Sequence, residues 1–231
     1  MTVIVEDTST QNRPAPVFTG RVRWAAALLA VTGAALQVAE FLLEPGSNAA
    51  SADRVTWWLA HPDQIGLSKA AGMLAVPFLL GQLVVMVTMA RRHSRRIAAA
   101  AAVFVTAAMT GLAAIQGVEM VALWTAQAGH RDAAVGILEV SDAGLPGAVL
   151  FALFLGGAFV GTVALNVALW RSPYVPRLVV VFGVGFVILD LVAGQGLAGH
   201  FSALAGGIVL AWAVVTGYAR NARERRTLTL R

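Results

Sequence analysis

The chain has 231 residues, 58% of them hydrophobic and 13% charged, with a formal net charge of +5 and no cysteine. Soluble domains carry about 25% charged residues, so an ordinary soluble fold is excluded. Without cysteine, so are disulfides, thiolate catalysis, Cys-ligated zinc and iron–sulfur clusters. The basic residues lie in short clusters between apolar runs rather than along one soluble face, which argues for membrane orientation and against nucleic acid.

Residues 1–20 are polar and proline-punctuated and read as a flexible cytoplasmic tail. The apolar run over 24–43 is long enough to cross a bilayer and starts too late for a cleaved signal, so it is kept as the first membrane helix. Pro45 and Gly46 stop it. Within the first outer loop, Val55, Trp58 and Leu59 share one face of a short segment over 51–60. Its tryptophans favour the membrane interface, predicting a helix lying flat on the outer surface, stopped by His61-Pro62; the alternative is a lid tilted over the bundle mouth.

The second span runs over 66–90 with a kink expected at Pro77. The cluster RRHSRR, 91–96, is a cytoplasmic turn, and the third span covers 97–126. A polar connection follows, in which Asp142 is placed to cap the next helix. The fourth span, 145–170, contains Gly157 and Gly161, a small-xxx-small pair suited to a close helix–helix partner. Two further spans, 178–193 and 200–218, are joined by a glycine-rich turn over 194–200, and residues 220–231 form a basic cytoplasmic tail.

Arg13, Arg21, Arg23, the arginines of 91–96, Arg171, Arg177 and the arginines of the tail fall on one side, against Arg54, Lys69 and Arg131 on the other. This asymmetry is the positive-inside pattern and requires an even number of crossings. The expected fold is therefore all-α: a polytopic transmembrane bundle of six helices over 21–219, with both termini inside. A single lysine among many arginines, with abundant Ala, Gly and Val, points to a GC-rich bacterial genome and hence to a bacterial inner membrane.

At RSPYVPRLVVVFGVG the chain resembles the bacterial membrane family labelled domain of unknown function 4386. The resemblance lies in six apolar segments, a long first outer loop, and a serine-containing loop closed by Pro-Arg, here Ser172, Pro176 and Arg177. Where that family places a glycine shortly after Pro-Arg, this chain has Val180. The resemblance implies architecture and brings no catalytic residue.

The first, third and fifth spans each carry an acid toward the outer end. At about 1.5 Å rise per residue, Glu40 lies about 24 Å above Trp24, Asp190 about 18 Å above Leu178, and Glu119 about 31 Å beyond Ala98. Gln37 and Glu40, and likewise Gln116 and Glu119, are one turn apart and share a face. With His200 opening the last helix on the same side, these six residues are candidates for one outward-facing polar pocket.

Three readings compete for it. The acids are inter-helix glue, with Glu40 or Glu44 paired to Lys69 and Glu119 at interfacial water. Alternatively they bind an ion or small polar ligand for transport or sensing, in which case Glu119→Gln and Asp190→Asn should leave folding intact while abolishing binding. The third reading is a membrane-embedded hydrolase using His200 with Asp190 or Glu119. No HExxH, His-xxx-His or GxSxG pattern supports it, so no catalytic residue, metal ligand or cofactor is assigned. The expected partners are the lipid bilayer, a small ligand or cation, and a helix packed on Gly157 and Gly161; that small-residue face is also the basis of the alternative function, a structural or interaction subunit of a membrane complex.

Overall fold

The computed structural model describes residues 17–44, 49–194 and 196–218. Most of the expected tail over 1–20, all of that over 220–231, and the helix stop at Pro45 and Gly46 lie outside them. Among the described residues every regular element is helical: α1 (Gly20–Leu43), α2 (Ser51–Ala60), α3 (Pro62–Arg91), α4 (Arg95–Gln127), α5 (Arg131–Ala143), α6 (Leu145–Phe151), α7 (Gly157–Trp170), α8 (Arg177–Phe186) and α9 (Gly196–Thr216). A π-helical segment, Ala152–Gly156, joins α6 to α7, and a second, Val187–Val192, continues α8.

Helices dominate because in hydrocarbon a chain must satisfy its own backbone polar groups, and a helix does so within one segment. Five of the rods are long and apolar enough to cross a membrane: α1, α3, α4, the run Leu145–Trp170, and α9. These five mark a multi-pass membrane protein. Large apolar side chains such as Leu28, Leu74, Val103, Val167 and Trp212 are exposed along them, as a lipid-facing surface requires. The rod of α8 and its π-helical continuation is shorter, with ten and then six residues.

Consecutive rods pack side by side, α1 on α3, α3 on α4, α4 on α7, α7 on α8 and α8 on α9, and α9 returns to α1. The result is a closed ring around a central space. Glycines set the closest approaches. A Cβ on Gly33 of α1 would lie 2.6 Å from the backbone nitrogen of Leu79 in α3, and one on Gly157 2.6 Å from the carbonyl of Phe104 in α4. Gly157 and Gly161 therefore face α4 of the same chain, so the close partner expected for that pair is intramolecular.

At one end of the ring the loop RSPYVPR folds back on itself. Ser172 is buried and its Oγ accepts the Tyr174 N–H at 3.3 Å, Pro176 precedes the first turn of α8, and Arg177 lies 5.7 Å over the Trp170 ring. α3 continues as a helix through Pro77.

Two expectations are corrected at the other end. The stretch after α4, expected as a polar connection, is helix α5: Gly129, at φ +90°, turns the chain, and Ala134 and Leu138, four residues apart, bury one face. Asp142 consequently sits in the last turn of α5 and caps nothing; Gly144 precedes α6 without a side-chain cap. The second correction concerns α2. It has the expected limits, but two of the three residues of its apolar face turn into the protein, while Leu59 stays exposed. Val55 and Trp58 are fully buried among Ile65, Leu123, Ala126 and Leu138 of α3, α4 and α5, because α5 supplies an apolar wall that the sequence reading lacked. α2 is a lid on the bundle. The last rod also begins earlier than 200, so His200 lies one turn inside α9.

Replacing Gly33 by Val should lower the unfolding temperature of the purified protein, since overpacking at such a contact costs about 1–3 kcal/mol. Gly66→Ala, at a site where a Cβ meets no atom within 4 Å, should not lower it.

Candidate functional site

Under the α2 lid, the C-terminal end of α1 is held by side chains of α3: Gln64 Nε2 donates to the Leu43 carbonyl at 2.9 Å, and Ser68 Oγ to that of Glu40 at 3.1 Å. The first satisfies a carbonyl that the helix end leaves open; the Glu40 carbonyl also accepts the Glu44 N–H at 3.0 Å. Together the two side-chain bonds place Glu40 and Glu44 beside Lys69, one residue after Ser68.

Lys69 is 2% exposed and its Nζ lies 2.6 Å from both Glu44 Oε2 and Glu119 Oε2. Arg54 reaches down from α2, its guanidinium 2.6 Å from Glu119 Oε1 and 3.7 Å from Glu44 Oε1. Trp58, one turn further along α2, donates its indole N–H to Glu44 Oε1 at 2.8 Å, and its ring lies near both cations. Two cations and two carboxylates thus close a charge-balanced square joining α2, α3, α4 and the end of α1. Burial works against the charge on Arg54, but the carboxylates of Glu119 and Glu44 outweigh it and hold the guanidinium pKa above its ordinary value.

The other acids stand apart from this square. Glu40, 9% exposed, accepts the Gln116 Nε2 donor at 2.7 Å. The two meet over Gly72 of α3, where a Cβ would lie 2.7 Å from Gln116 Oε1 and collide with the Glu40 carboxylate. Asp190 belongs to the π-helical continuation of α8. Gly199 lets α9 press against it, with its Cβ position 2.9 Å from the Asp190 Cα, and His200 Nδ1 lies 3.5 Å from Asp190 Oδ1. The His200 ring also meets Phe41 edge-on at 4.4 Å. Among the described residues, neither Glu40 nor Asp190 has a lysine or arginine within ion-pair distance.

The four charges of the square, with Glu40, Gln116, Asp190 and His200, border one cavity of about 490 Å³ at the α2 end of the ring. The six candidates from the sequence, Gln37, Glu40, Gln116, Glu119, Asp190 and His200, line it together, as does Lys69. Sequence reasoning missed the parts of the lid and rim that also line it: Arg54 from α2, and Ser141 and Asp142 from α5. The spacing of Arg54 and Trp58, one helical turn apart on the face that carries Val55, was the available signal. It also missed Gly72. Trp58, placed at the membrane interface by its residue type, is fully buried because its N–H has a carboxylate to bond.

The separation into two sets of acids changes what each variant should do. Glu119, its side chain 18% exposed, has two cationic partners, so Glu119→Gln removes a counter-ion from the square. It should not leave folding intact. Ser202 donates its hydroxyl to the Phe182 carbonyl at 2.8 Å and so is not presented to His200. Among the described residues no three His, Asp or Glu side chains gather in a metal-binding arrangement.

Comparison of the chain with family models, with curated proteins and with solved structures gave no match.

Breaking one partner out of a buried ion pair costs about 3–5 kcal/mol, because the other charge is left uncompensated. Glu119→Gln should therefore lower thermal stability by clearly more than Glu40→Gln, which exchanges one hydrogen-bonding group for another. Equal shifts in thermal unfolding for the two variants would contradict the division of the acids.

Proposed function

We propose that the chain is a six-crossing protein of a bacterial inner membrane, with both termini inside, whose outward-facing pocket binds a cation or small polar molecule for transport or sensing. The resemblance at Ser172, Pro176 and Arg177 enters this reading as architecture only.

Charge at the two ends of the ring supports the orientation. Arg91, Arg92, Arg95, Arg96, Arg171 and Arg177 gather at one end. At the other, Arg54 and Lys69 are consumed in the buried square, which leaves Arg131 as the exposed cation among exposed Asp53, Asp63, Asp132, Glu139 and Asp142. The positive-inside rule assigns the first end to the cytosol. On that assignment the shorter α8 rod is the sixth crossing, and the cavity opens outward.

The observation that carries the functional reading is the surplus of carboxylate in the cavity. Both permanent cations there are paired with Glu44 and Glu119, which leaves Glu40 and Asp190, and Asp142 at the rim, facing the space; among the described residues neither Glu40 nor Asp190 has a lysine or arginine within ion-pair distance. A carboxylate withdrawn from water is expensive unless something shares its charge. A bound cation or a proton would supply that share.

The test is equilibrium binding of sodium, potassium and methylammonium to the purified protein in lipid nanodiscs. At least one should bind, and Asp190→Asn should weaken it about tenfold or more, the worth of one charged hydrogen bond, while circular dichroism stays unchanged. If none of the three binds, or Asp190→Asn binds them as the parent protein does, the reading fails.

A further inference from the structure

The polar cavity does not end at Asp190. A second cavity of about 130 Å³ adjoins it along the axis of the ring, and the two share Gln37, Leu112, Phe154, Asp190 and His200 as walls. Below that junction the walls are largely apolar, including Leu79, Met86, Met109 and Leu210, with Gln82 and Thr162 as further polar groups. The junction itself carries an unmet hydrogen-bonding group. His200 is 7% exposed, lines both chambers, and its Nδ1 has no hydrogen-bond partner among the described residues.

Sodium or potassium would use the upper chamber alone, and nothing about an inorganic ion calls for an apolar chamber directly beneath a carboxylate. The lower chamber is close in size to cavities of about 150 Å³ that take up benzene. Binding pockets of this kind are mostly apolar, with a few polar groups that fix orientation.

We infer that the ligand is an organic amine carrying an apolar group of about benzene size, its ammonium held at Asp190 in the polar chamber and its apolar group lodged in the chamber below. This inference rests on the cation-binding reading above and narrows it. Asp190 is the carboxylate suited to the ammonium because it borders both chambers, whereas Glu40 borders only the upper one. Orientation follows from polarity: the apolar group loses contact with water below, and the ammonium keeps a carboxylate and water-accessible space above.

The test uses three probes on the full-length protein in lipid nanodiscs: 2-phenylethylamine, methylammonium and 2-phenylethanol. 2-Phenylethylamine should bind about tenfold or more tightly than methylammonium, the gain expected from burying a phenyl group. It should exceed 2-phenylethanol by a similar factor. Ala203→Phe, which adds a ring at the wall of the lower chamber, should reduce 2-phenylethylamine to the level of methylammonium, and the ligand series on the parent protein decides the matter independently of that variant. Equal affinity for 2-phenylethylamine and methylammonium would overturn the inference and leave the cation pocket standing. Equal affinity for the amine and the alcohol would overturn the role of Asp190 as the amine's partner. Binding of none of the three would remove both the inference and the reading beneath it.

Discussion

The lysine ammonium sealed between Glu44 and Glu119 is the constraint around which this end of the molecule is built. Lys69 is almost fully buried on a membrane-spanning helix, and a charge in that position has to be compensated by protein. One carboxylate arrives from the end of α1 and one from α4, so the compensation fixes three rods relative to one another. Arg54 completes the balance at Glu119 and draws α2 down as a lid; Trp58 is buried beside it and donates its indole N–H to Glu44. An apolar plug of equal volume could give as much stability. What the charged square adds is a defined position for the lid.

That square also determines what the cavity can do. Because it uses both of its cations on two of the acids, the remaining Glu40 and Asp190, with Asp142 at the rim, set the character of the space beneath the lid. The glycines contribute as much as the charges here. Gly72 leaves room for Glu40 and Gln116 to meet across α3, and Gly199 brings His200 against Asp190. The two π-helical segments border the same region: Phe154 lies in the first and Asp190 in the second, and both line the two chambers. A π-turn re-aims the side chains that follow it and is often found where a helix carries a functional group.

Much of the rod arrangement was legible in the sequence because each rod must hide its backbone in a continuous apolar run, and such runs are bounded by glycine, proline and arginine. The polar candidates were legible for a related reason: Gln37, Glu40, Gln116, Glu119, Asp190 and His200 are conspicuous in apolar surroundings, and rise per residue places them at one end. What stayed hidden was set by contacts distant in sequence. α5 carries only a short apolar stripe, Ala134 and Leu138, and without that wall α2 had nothing to pack on and was read as lying on lipid. The pairing of Glu119 with Arg54, 65 residues away, follows from that lid and from no local pattern. The division of the acids into a structural pair and a pocket pair was invisible for the same reason.

The most direct test of this account is a double-mutant cycle between Lys69→Met and Glu119→Gln, read as the stability of the purified protein to thermal or chemical unfolding. The account predicts that the double variant is less destabilised than the two single effects combined, with a coupling on the order of 0.5–3 kcal/mol as found for residues in direct contact. Effects that add within about 0.3–0.5 kcal/mol, as for distant and independent sites, would contradict it.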